Sequence, residues 1–428
     1  MKLGMGMNRA GRFLVSAALA GGLLAGGAVF TATAAEAAPP VVSAKYKSNG
    51  GFKVRPKNFG QHSYEVAPGT HSGALRFFAP MWRDMEPTRG SYNWTQLDTY
   101  VTWAEAWGYN DVLFTFRGTP QWAAGPVPYP TKEVSGVGST SAPTSMKYWK
   151  QFVKAVVTRY KGRITQYQAW NEVTSPQFYQ GSAGKMAKMT QILYKMVQKY
   201  DRKAVVVGAS VQTHVVDAFR SFTPKYLSGL RKKGWPVEAL AGHFYPAGSG
   251  GPNQRLRQID MFNSTLNRAG VPKRVNRMDT EVNYSLGGAG ATCSGNGRIG
   301  GNKAAMYVAR TYLDGWRRGI RQQYWYLWTT ECKDFPGIQM YATHQPGVKS
   351  YNRLAKWTTK AKFKGCSTGN LVKCKFVKKG SKFQIMFTEQ GKSDASVGGK
   401  KQMCSVKGGR CKTVSGKVRV TKMPVRIS

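Results

Sequence analysis

Two glutamates stand at the ends of short apolar segments and could perform chemistry together. Glu172 follows the segment 164–170 and Glu281 follows the segment 274–278, both of strand length and composition. One carboxyl that donates a proton and one ionised carboxylate that attacks carbon suffice to cleave a glycosidic bond. Each glutamate alone could instead cap a helix or pair with a basic residue. Only 20 acidic residues accompany 64 basic ones, so two such placements together favour shared chemistry.

The elements that would position these glutamates form a repeating pattern. Segments of helical period lie between most of the apolar runs, for example the stripe Trp149, Phe152, Val153, Val156, Val157 and Tyr160. Alternating strands and helices predict parallel α/β architecture, and eight units predict a (β/α)8 TIM barrel over residues 45–358. The eight predicted strands are Asn58 to Tyr64, Ala74 to Ala79, Asp111 to Phe116, Ile164 to Trp170, Ala204 to Ser210, Leu240 to Phe244, Arg274 to Met278 and Gln323 to Trp328.

A barrel of this kind makes a definite prediction about the two glutamates. Residues at the carboxyl ends of parallel strands converge on one mouth of the barrel. Glu172 follows the fourth predicted strand and Glu281 the seventh, so we expect the two side chains to face each other there. No glycine-rich phosphate loop follows the first strand, which argues against a nucleotide-binding fold.

The sequence changes character from about Ala361. Helical periodicity stops, and short alternating runs lie between turns rich in Gly and Ser, which predicts a small all-β, β-sandwich-like module over residues 359–428. Residues 361–428 contain 17 Lys and Arg against 2 acidic residues. This module is therefore much more densely basic than the predicted barrel.

The first 37 residues have the pattern of a signal peptide. Lys2, Arg9 and Arg12 precede the apolar stretch Phe13 to Phe30, and small residues around Ala37 supply a cleavage site. We expect secretion into the extracellular space, with an uncleaved anchor as the alternative. No later stretch has the length and hydrophobicity of a membrane span.

The six cysteines fit an oxidising compartment. Their spacing lacks the pattern of a zinc site, so disulfides are the preferred interpretation. The predicted pairs are Cys366 with Cys374, Cys404 with Cys411, and Cys293 with Cys332.

The net charge of +44 gives information about binding partners rather than about the fold. An anionic cell surface or polysaccharide is the preferred partner, and a solvated basic face without a specific partner is the alternative. Specific nucleic-acid binding is disfavoured because the basic residues are spread along the whole chain and no recognition motif accompanies them.

An ordered set of residues along the predicted strand ends resembles a known group of enzymes. The set comprises Arg76, the stretch Trp82 to Trp94 with Glu86, the stretch Gly118 to Trp122, the triplet Trp170-Asn171-Glu172, Glu281 and Trp328. Over roughly residues 50–358 the chain resembles the retaining glycoside hydrolases of the largest (β/α)8 clan, the 4/7 superfamily. It looks most similar to family 39, the β-xylosidase-like group, with families 5 and 42 as neighbours.

The resemblance implies roles for the catalytic residues. Glu172 would be the acid/base and Glu281 the nucleophile. Arg76 and a tyrosine at the position of Tyr245 would keep the nucleophile charged, and Asn171 would bind the sugar 2-hydroxyl.

The resemblance also implies a wall around the bound sugar. Trp328 would be the aromatic platform beneath the reacting sugar, with core packing at the barrel top as the alternative. His243 would contribute to substrate binding, and Trp122 and His62 are weaker candidates for the wall. Related enzymes often carry a histidine two places after the Arg76 position, where this chain has Phe78. This chain therefore lacks the histidine that would make that sugar contact.

The sequence thus predicts a secreted retaining β-glycosidase that hydrolyses a β-linked polysaccharide or oligosaccharide. The alternative is a non-catalytic polysaccharide- or cell-wall-binding protein on the same barrel, and a basic nucleic-acid-binding protein ranks third. No cofactor or metal is implied, because two carboxylates and water suffice for the chemistry. The C-terminal module is expected to support the barrel.

Overall fold

The computed structural model describes residues 50–126, 139–246, 248–285, 292–293 and 295–428. The expected signal peptide lies outside these residues. The strands are β1 (Phe52–Lys53), β2 (Phe59–Gln61), β3 (Ala74–Phe77), β4 (Val112–Thr115), β5 (Gln166–Gln168), β6 (Val205–Val207), β7 (Val211–Gln212), β8 (Ala239–His243), β9 (Asn276–Val282), β10 (Ile320–Trp325), β11 (Lys362–Cys366), β12 (Leu371–Lys378), β13 (Ser381–Thr388), β14 (Lys392–Ser405), β15 (Lys412–Thr421) and β16 (Val425–Ile427). The α-helices are α1 (Trp82–Met85), α2 (Thr95–Ala106), α3 (Met146–Arg159), α4 (Ala183–Tyr200), α5 (Val216–Arg231), α6 (Pro252–Arg268), α7 (Gly301–Arg317) and α8 (Pro346–Thr358).

Eight parallel strands close into a barrel. The order is β2, β3, β4, β5, β6, β8, β9 and β10, and pairing of β10 with β2 closes the ring. The short strand β7 pairs with β8 beside this ring. Each of the eight predicted segments contains or overlaps one of these strands, so the predicted TIM barrel is confirmed.

Inside the barrel, small and larger apolar side chains pack together with one large ring. Ala74, Ala239 and Ala241 pack there with Tyr324, all nearly inaccessible to solvent. Gly60 of β2 lies opposite that ring, and a Cβ atom at this position would come within 2.4 Å of it. The close approach explains why the first strand carries a glycine.

The helices pack on the outside of the barrel through the stripes that the sequence predicts. In α3 the buried residues are Trp149, Phe152, Val153, Val156 and Val157. The hydroxyl of Ser145 accepts a bond from the backbone N–H of Lys147 at the start of α3, and Ser182 caps α4 in the same way. These caps begin the helices close to the mouth of the barrel.

The C-terminal segment forms one curled antiparallel sheet of seven strands in the order β1, β11, β12, β13, β16, β14 and β15. The predicted all-β module is therefore present. Its first strand comes from the other end of the chain, because Phe52 pairs with Phe363 of β11. The two rings pack edge to face at 5.4 Å, and Phe52 also contacts Trp316 of α7. This shared apolar contact explains why a segment expected in the barrel joins the other sheet.

A buried network of charges links the sheet to the barrel. Asp314 of α7 accepts bonds of 2.8 Å from both Arg310 and Arg317. Arg317 then donates a bond of 2.7 Å to Glu389, which follows β13. All four side chains are at most 2% exposed, so two buried cations are balanced by two buried anions.

Three disulfides connect loops and neighbouring strands. They are Cys293–Cys332, Cys366–Cys374 and Cys404–Cys411, with Cα separations of 5.9, 3.9 and 4.4 Å. All three predicted pairs are confirmed. Among the described residues, no helix is both long enough and apolar enough to span a membrane.

Candidate active site

Glu172 lies in the turn that follows β5. Its backbone adopts a left-handed conformation with φ 43°, which non-glycine residues seldom adopt and which costs of order 1–3 kcal/mol. The backbone N–H of Glu172 donates a bond of 2.9 Å to the hydroxyl of Ser210. The side chain is almost fully buried, so this strained turn fixes a carboxyl inside the barrel mouth.

Glu281 is the penultimate residue of β9 and is held by two donors. Nη1 of Arg76 donates to Oε2 over 2.8 Å, and the hydroxyl of Tyr245 donates to Oε1 over 2.8 Å. Each carboxylate oxygen thus receives its own hydrogen bond, and one donor carries a full positive charge. This environment stabilises the ionised form of the carboxylate.

Arg76 of β3 organises the floor of the site. Its side chain is fully buried, and besides Glu281 it bonds Gln168 and Thr115 within the barrel. Nη2 also donates to Oδ1 of Asn171 over 2.8 Å. Arg76 therefore positions the nucleophile candidate and the candidate sugar-binding amide together.

The structure brings Glu172, Glu281 and His243 to one point. A carboxylate oxygen of each glutamate and a ring nitrogen of the histidine all lie within 4.8 Å of one another. Nδ1 of His243 lies 2.7 Å from Oε1 of Glu172, and Nε2 lies 2.9 Å from Oγ1 of Thr280. In the described part of the chain this trio is the group whose donor atoms could converge on a metal ion, although each member is already hydrogen-bonded within the protein.

Burial sets the protonation of this cluster. It raises the pKa of Glu172 to about 7, against the opposing effects of His214 and Arg76. Burial likewise lowers the pKa of His243 to about 3, with the nearby Glu281 acting in the opposite direction. The imidazole of His243 is therefore neutral at ordinary pH, while Glu172 can still carry a proton near neutrality.

Several residues at the site were missed by the sequence reasoning. Tyr326, immediately after β10, packs with Phe78 at a ring separation of 6.2 Å and with His62 at 5.2 Å. The guanidinium of Arg117, two residues past β4, lies over Phe78 at 4.8 Å. His214 lies beside Tyr245 at 6.1 Å. All of them follow or end a strand, and that placement is the signal that could have identified them.

Three other candidates take part in packing. His62 is fully buried and its Nε2 lies 3.1 Å from the backbone oxygen of Thr280. Nε1 of Trp122 donates to the backbone oxygen of Glu86 over 2.9 Å. Trp328 is 6% exposed and belongs to the apolar core shared with the C-terminal sheet. Tyr326, rather than Trp328, makes the contacts seen in the aromatic wall beside Arg76.

The stretch from Trp82 to Trp94 builds a loop at the barrel mouth. The carboxylate of Glu86 accepts bonds from Nε1 of Trp82 over 2.7 Å and from the backbone of Gly90 over 2.9 Å. Tyr92 and Trp94 then stack at 4.9 Å. The contacts of this motif are therefore those of a structural element that holds the loop after β3.

Comparisons with known proteins place the fold. No protein-family model matches the sequence, and no curated protein sequence does either. Solved structures do match. A family 39 glycoside hydrolase from Bacteroides cellulosilyticus superposes with a TM-score of 0.63 at 13% identity, covering 87% of this chain and 81% of the other.

Two further solved structures superpose on this chain over most of the length of both proteins. A family 30 endoxylanase from Clostridium papyrosolvens gives a TM-score of 0.58 at 12% identity, covering 88% of this chain and 97% of the other. A family 44 endoglucanase from Clostridium acetobutylium gives 0.56 at 13% identity, covering 88% and 96%. The resemblance to family 39 is thus confirmed at the level of the fold. The barrel with its appended β-sheet is an architecture shared with these glycoside hydrolases.

Proposed function

We propose that the protein is a secreted retaining β-glycosidase that hydrolyses a β-linked polysaccharide or its fragments. The observation that carries this proposal is the pairing of Glu172 with Glu281 at the barrel mouth. Their oxygens lie within 4.8 Å, compatible with the separation of roughly 5–5.5 Å between carboxyl groups in retaining enzymes. Burial of Glu172 favours its protonated form, and Arg76 with Tyr245 favours ionised Glu281.

The first chemical step uses the two carboxyl groups in opposite states. The carboxylate of Glu281 attacks the anomeric carbon while the bond from that carbon to the leaving oxygen breaks. Glu172 transfers its proton to the leaving oxygen. Asn171, held by Arg76 at 2.8 Å, is positioned to donate a hydrogen bond to the sugar 2-hydroxyl, a contact that strengthens in the transition state.

The second step reverses the roles. Glu172, now ionised, takes a proton from a water molecule, and the resulting hydroxide attacks the anomeric carbon. The bond to Glu281 breaks, which returns the nucleophile as a carboxylate and restores the proton on Glu172. The two steps together consume only water, and residues of this chain supply both catalytic groups.

Secretion and the basic charge belong to the same proposal. Residues 1–37 would direct export and be removed, and the three disulfides are compatible with an oxidising compartment. In this proposal residues 45–358 carry catalysis and residues 359–428 support the barrel. Residues 1–37 carry three basic residues and one acidic residue, so the mature enzyme keeps a net charge of +42, which would hold it near an anionic polysaccharide or cell surface.

The test is hydrolysis by the purified mature protein. We expect release of sugar from aryl β-xyloside, β-glucoside, β-galactoside or β-mannoside, and from a panel of β-linked polysaccharides, with retention of anomeric configuration by NMR. The alternative, a non-catalytic polysaccharide- or wall-binding protein, predicts retention on a polysaccharide column without any product. No hydrolysis of any member of the panel would reject the proposed activity.

A further inference from the structure

The cleft beside the two glutamates contains a positive charge that the mechanism does not use. Arg117 lies two residues past β4 at the barrel mouth and is half-buried. Its Nε donates to the backbone oxygen of Phe78 over 2.7 Å, and the guanidinium stacks on the Phe78 ring at 4.8 Å. Arg76 lies over the same ring at 5.4 Å. Phe78 therefore contacts two guanidinium groups, one of which binds the candidate nucleophile.

The neighbouring acids are already engaged by other cations. Glu281 is paired with Arg76, and Asp84 is paired with Arg83 at 3.3 Å. Within the ranges that the structure describes, Arg117 belongs to no ion pair, and its recorded bond leaves the guanidinium ends available. With Glu172 protonated and His243 neutral, the described cleft holds two cations and one anion. A half-buried charge without a counter-charge is costly unless a ligand supplies one.

We propose that Arg117 binds an anionic substituent of the substrate, so that the preferred substrate is a polysaccharide with carboxylate or sulfate groups next to the cleaved bond. A guanidinium presents a planar fork of N–H donors that matches a carboxylate or sulfate in two parallel bonds. The bond from Nε to the backbone of Phe78 and the contact with the Phe78 ring hold this guanidinium in place. The inference rests on the proposed glycosidase function and assigns its substrate class.

The rest of the chain fits an anionic polymer. Residues 38–428 carry a net charge of +42, which attracts a polyanion to the surface as a whole. Long-range attraction of this kind acts on any acidic chain, whereas a single fixed guanidinium in the cleft can discriminate at the reacting residue. Arg117 would therefore determine which bond is cleaved, and the surface charge would determine how fast the polymer arrives.

The experiment compares matched neutral and anionic substrates. Aryl β-glucuronide is compared with aryl β-glucoside, and an acidic polysaccharide is compared with the same material after carboxyl reduction. A sulfated polymer before and after desulfation provides the second arm and distinguishes the two anions. We expect the unmodified enzyme to prefer the anionic member of at least one pair.

Three variants locate the effect. Arg117→Gln should lower kcat/KM for the anionic substrate by roughly 10–100-fold, the value of a charged hydrogen bond, and leave the neutral one within a few-fold. Arg117→Lys keeps the positive charge but not the planar pair of N–H donors, and its kcat/KM for the anionic substrate should fall less. Arg202→Gln is the matched control, since Arg202 is exposed just before β6 and its loss changes net charge equally.

The results that would contradict the inference can be told apart. Equal losses on both members of a pair in Arg117→Gln and Arg117→Lys, with unchanged melting temperatures, would overturn the inference and assign Arg117 to positioning Phe78. Hydrolysis of neutral substrates only would also overturn it while leaving the glycosidase proposal intact. Absence of hydrolysis on the whole panel would reject the glycosidase proposal itself.

Discussion

Nδ1 of His243 lies 2.7 Å from Oε1 of Glu172. A neutral imidazole carries one ring proton, so it can serve either state of the acid/base. When Glu172 is protonated and no substrate is bound, its O–H can donate to Nδ1 while Nε2–H donates to the hydroxyl of Thr280. When Glu172 is ionised, Nδ1–H donates to it and Nε2 accepts from Thr280. The hydroxyl of Thr280 can reverse its role in this way because it is both donor and acceptor.

Replacement of Thr280 tests this arrangement. Thr280→Val keeps the shape but leaves Nε2 of His243 without a partner, and a lost buried hydrogen bond costs about 1–3 kcal/mol. We expect the turnover rate to fall roughly 5–100-fold, with little change in KM. Thr280→Ser restores the hydroxyl and should recover most of the rate. Equal activity of the Val and Ser variants would show that the hydroxyl has no part in holding the imidazole.

The roles of the two glutamates predict different mutant behaviour. Glu281→Ala should abolish turnover on every substrate, because no covalent intermediate can form. Glu172→Ala should still act on substrates with good aryl leaving groups, whose oxygen needs little protonation, and lose about 10²–10⁴-fold on natural sugars. Added azide should restore activity only in Glu172→Ala. Identical losses in both variants, without rescue, would contradict the assigned roles.

The raised pKa of Glu172 predicts the pH dependence. The acid must be protonated in the first step, and burial raises its pKa to about 7, so kcat/KM should fall as the pH rises through 7. His243 contributes no second limb there, because burial lowers its pKa to about 3. The profile of the unmodified enzyme is measured on a substrate with a poor leaving group, whose departure needs the proton of Glu172. Glu172→Gln, measured on an activated aryl substrate that it can still cleave, is the control and should show no limb near pH 7. A limb that persists in this variant would belong to another group.

The buried charge network predicts a large contribution of the C-terminal sheet to stability. Glu389→Ala leaves Arg317 with one fewer counter-charge in a dry environment and should lower the free energy of unfolding by about 3–5 kcal/mol in urea titrations. Asp394→Ala is the matched control in the same sheet. Its pair with Arg419 is exposed on both sides and should contribute less than about 1 kcal/mol. Similar losses in the two variants would argue against a special role of the buried network.

The barrel could be predicted from the sequence because its signals are local. Apolar strand segments and helical stripes such as that of α3 are set by residues close together in sequence. The structure contains both kinds of element where the sequence predicts them. The convergence of Glu172 and Glu281 follows from the barrel alone, since strand ends share one mouth. The disulfide pairs could likewise be predicted, because the cysteines of two pairs are close in sequence and the two remaining cysteines make the third pair.

The wall of the cleft could not be predicted in the same way. Tyr326 and Trp328 are two positions apart and both aromatic, so sequence alone does not decide which packs with Phe78 beside Arg76 and which joins the core shared with the C-terminal sheet. Arg117 is one of 64 basic residues, and its position over Phe78 depends on contacts between distant segments. The pairing of Phe52 with Phe363 is also long-range and carries no local signal.

The strand β1 has a consequence for how the chain acquires its structure. Phe52 is synthesised more than 300 residues before its partner Phe363, an interval of roughly 15–60 s at 5–20 residues per second. Trp316, which both phenylalanines contact, is made only 47 residues before Phe363, so the apolar surface around it lacks the cover of Phe363 for roughly 2–9 s. A chain interrupted before β11 would therefore expose this apolar surface to solvent and be prone to aggregation. Completion of this part of the core is therefore a late event, because it waits for β11 to pair with β1.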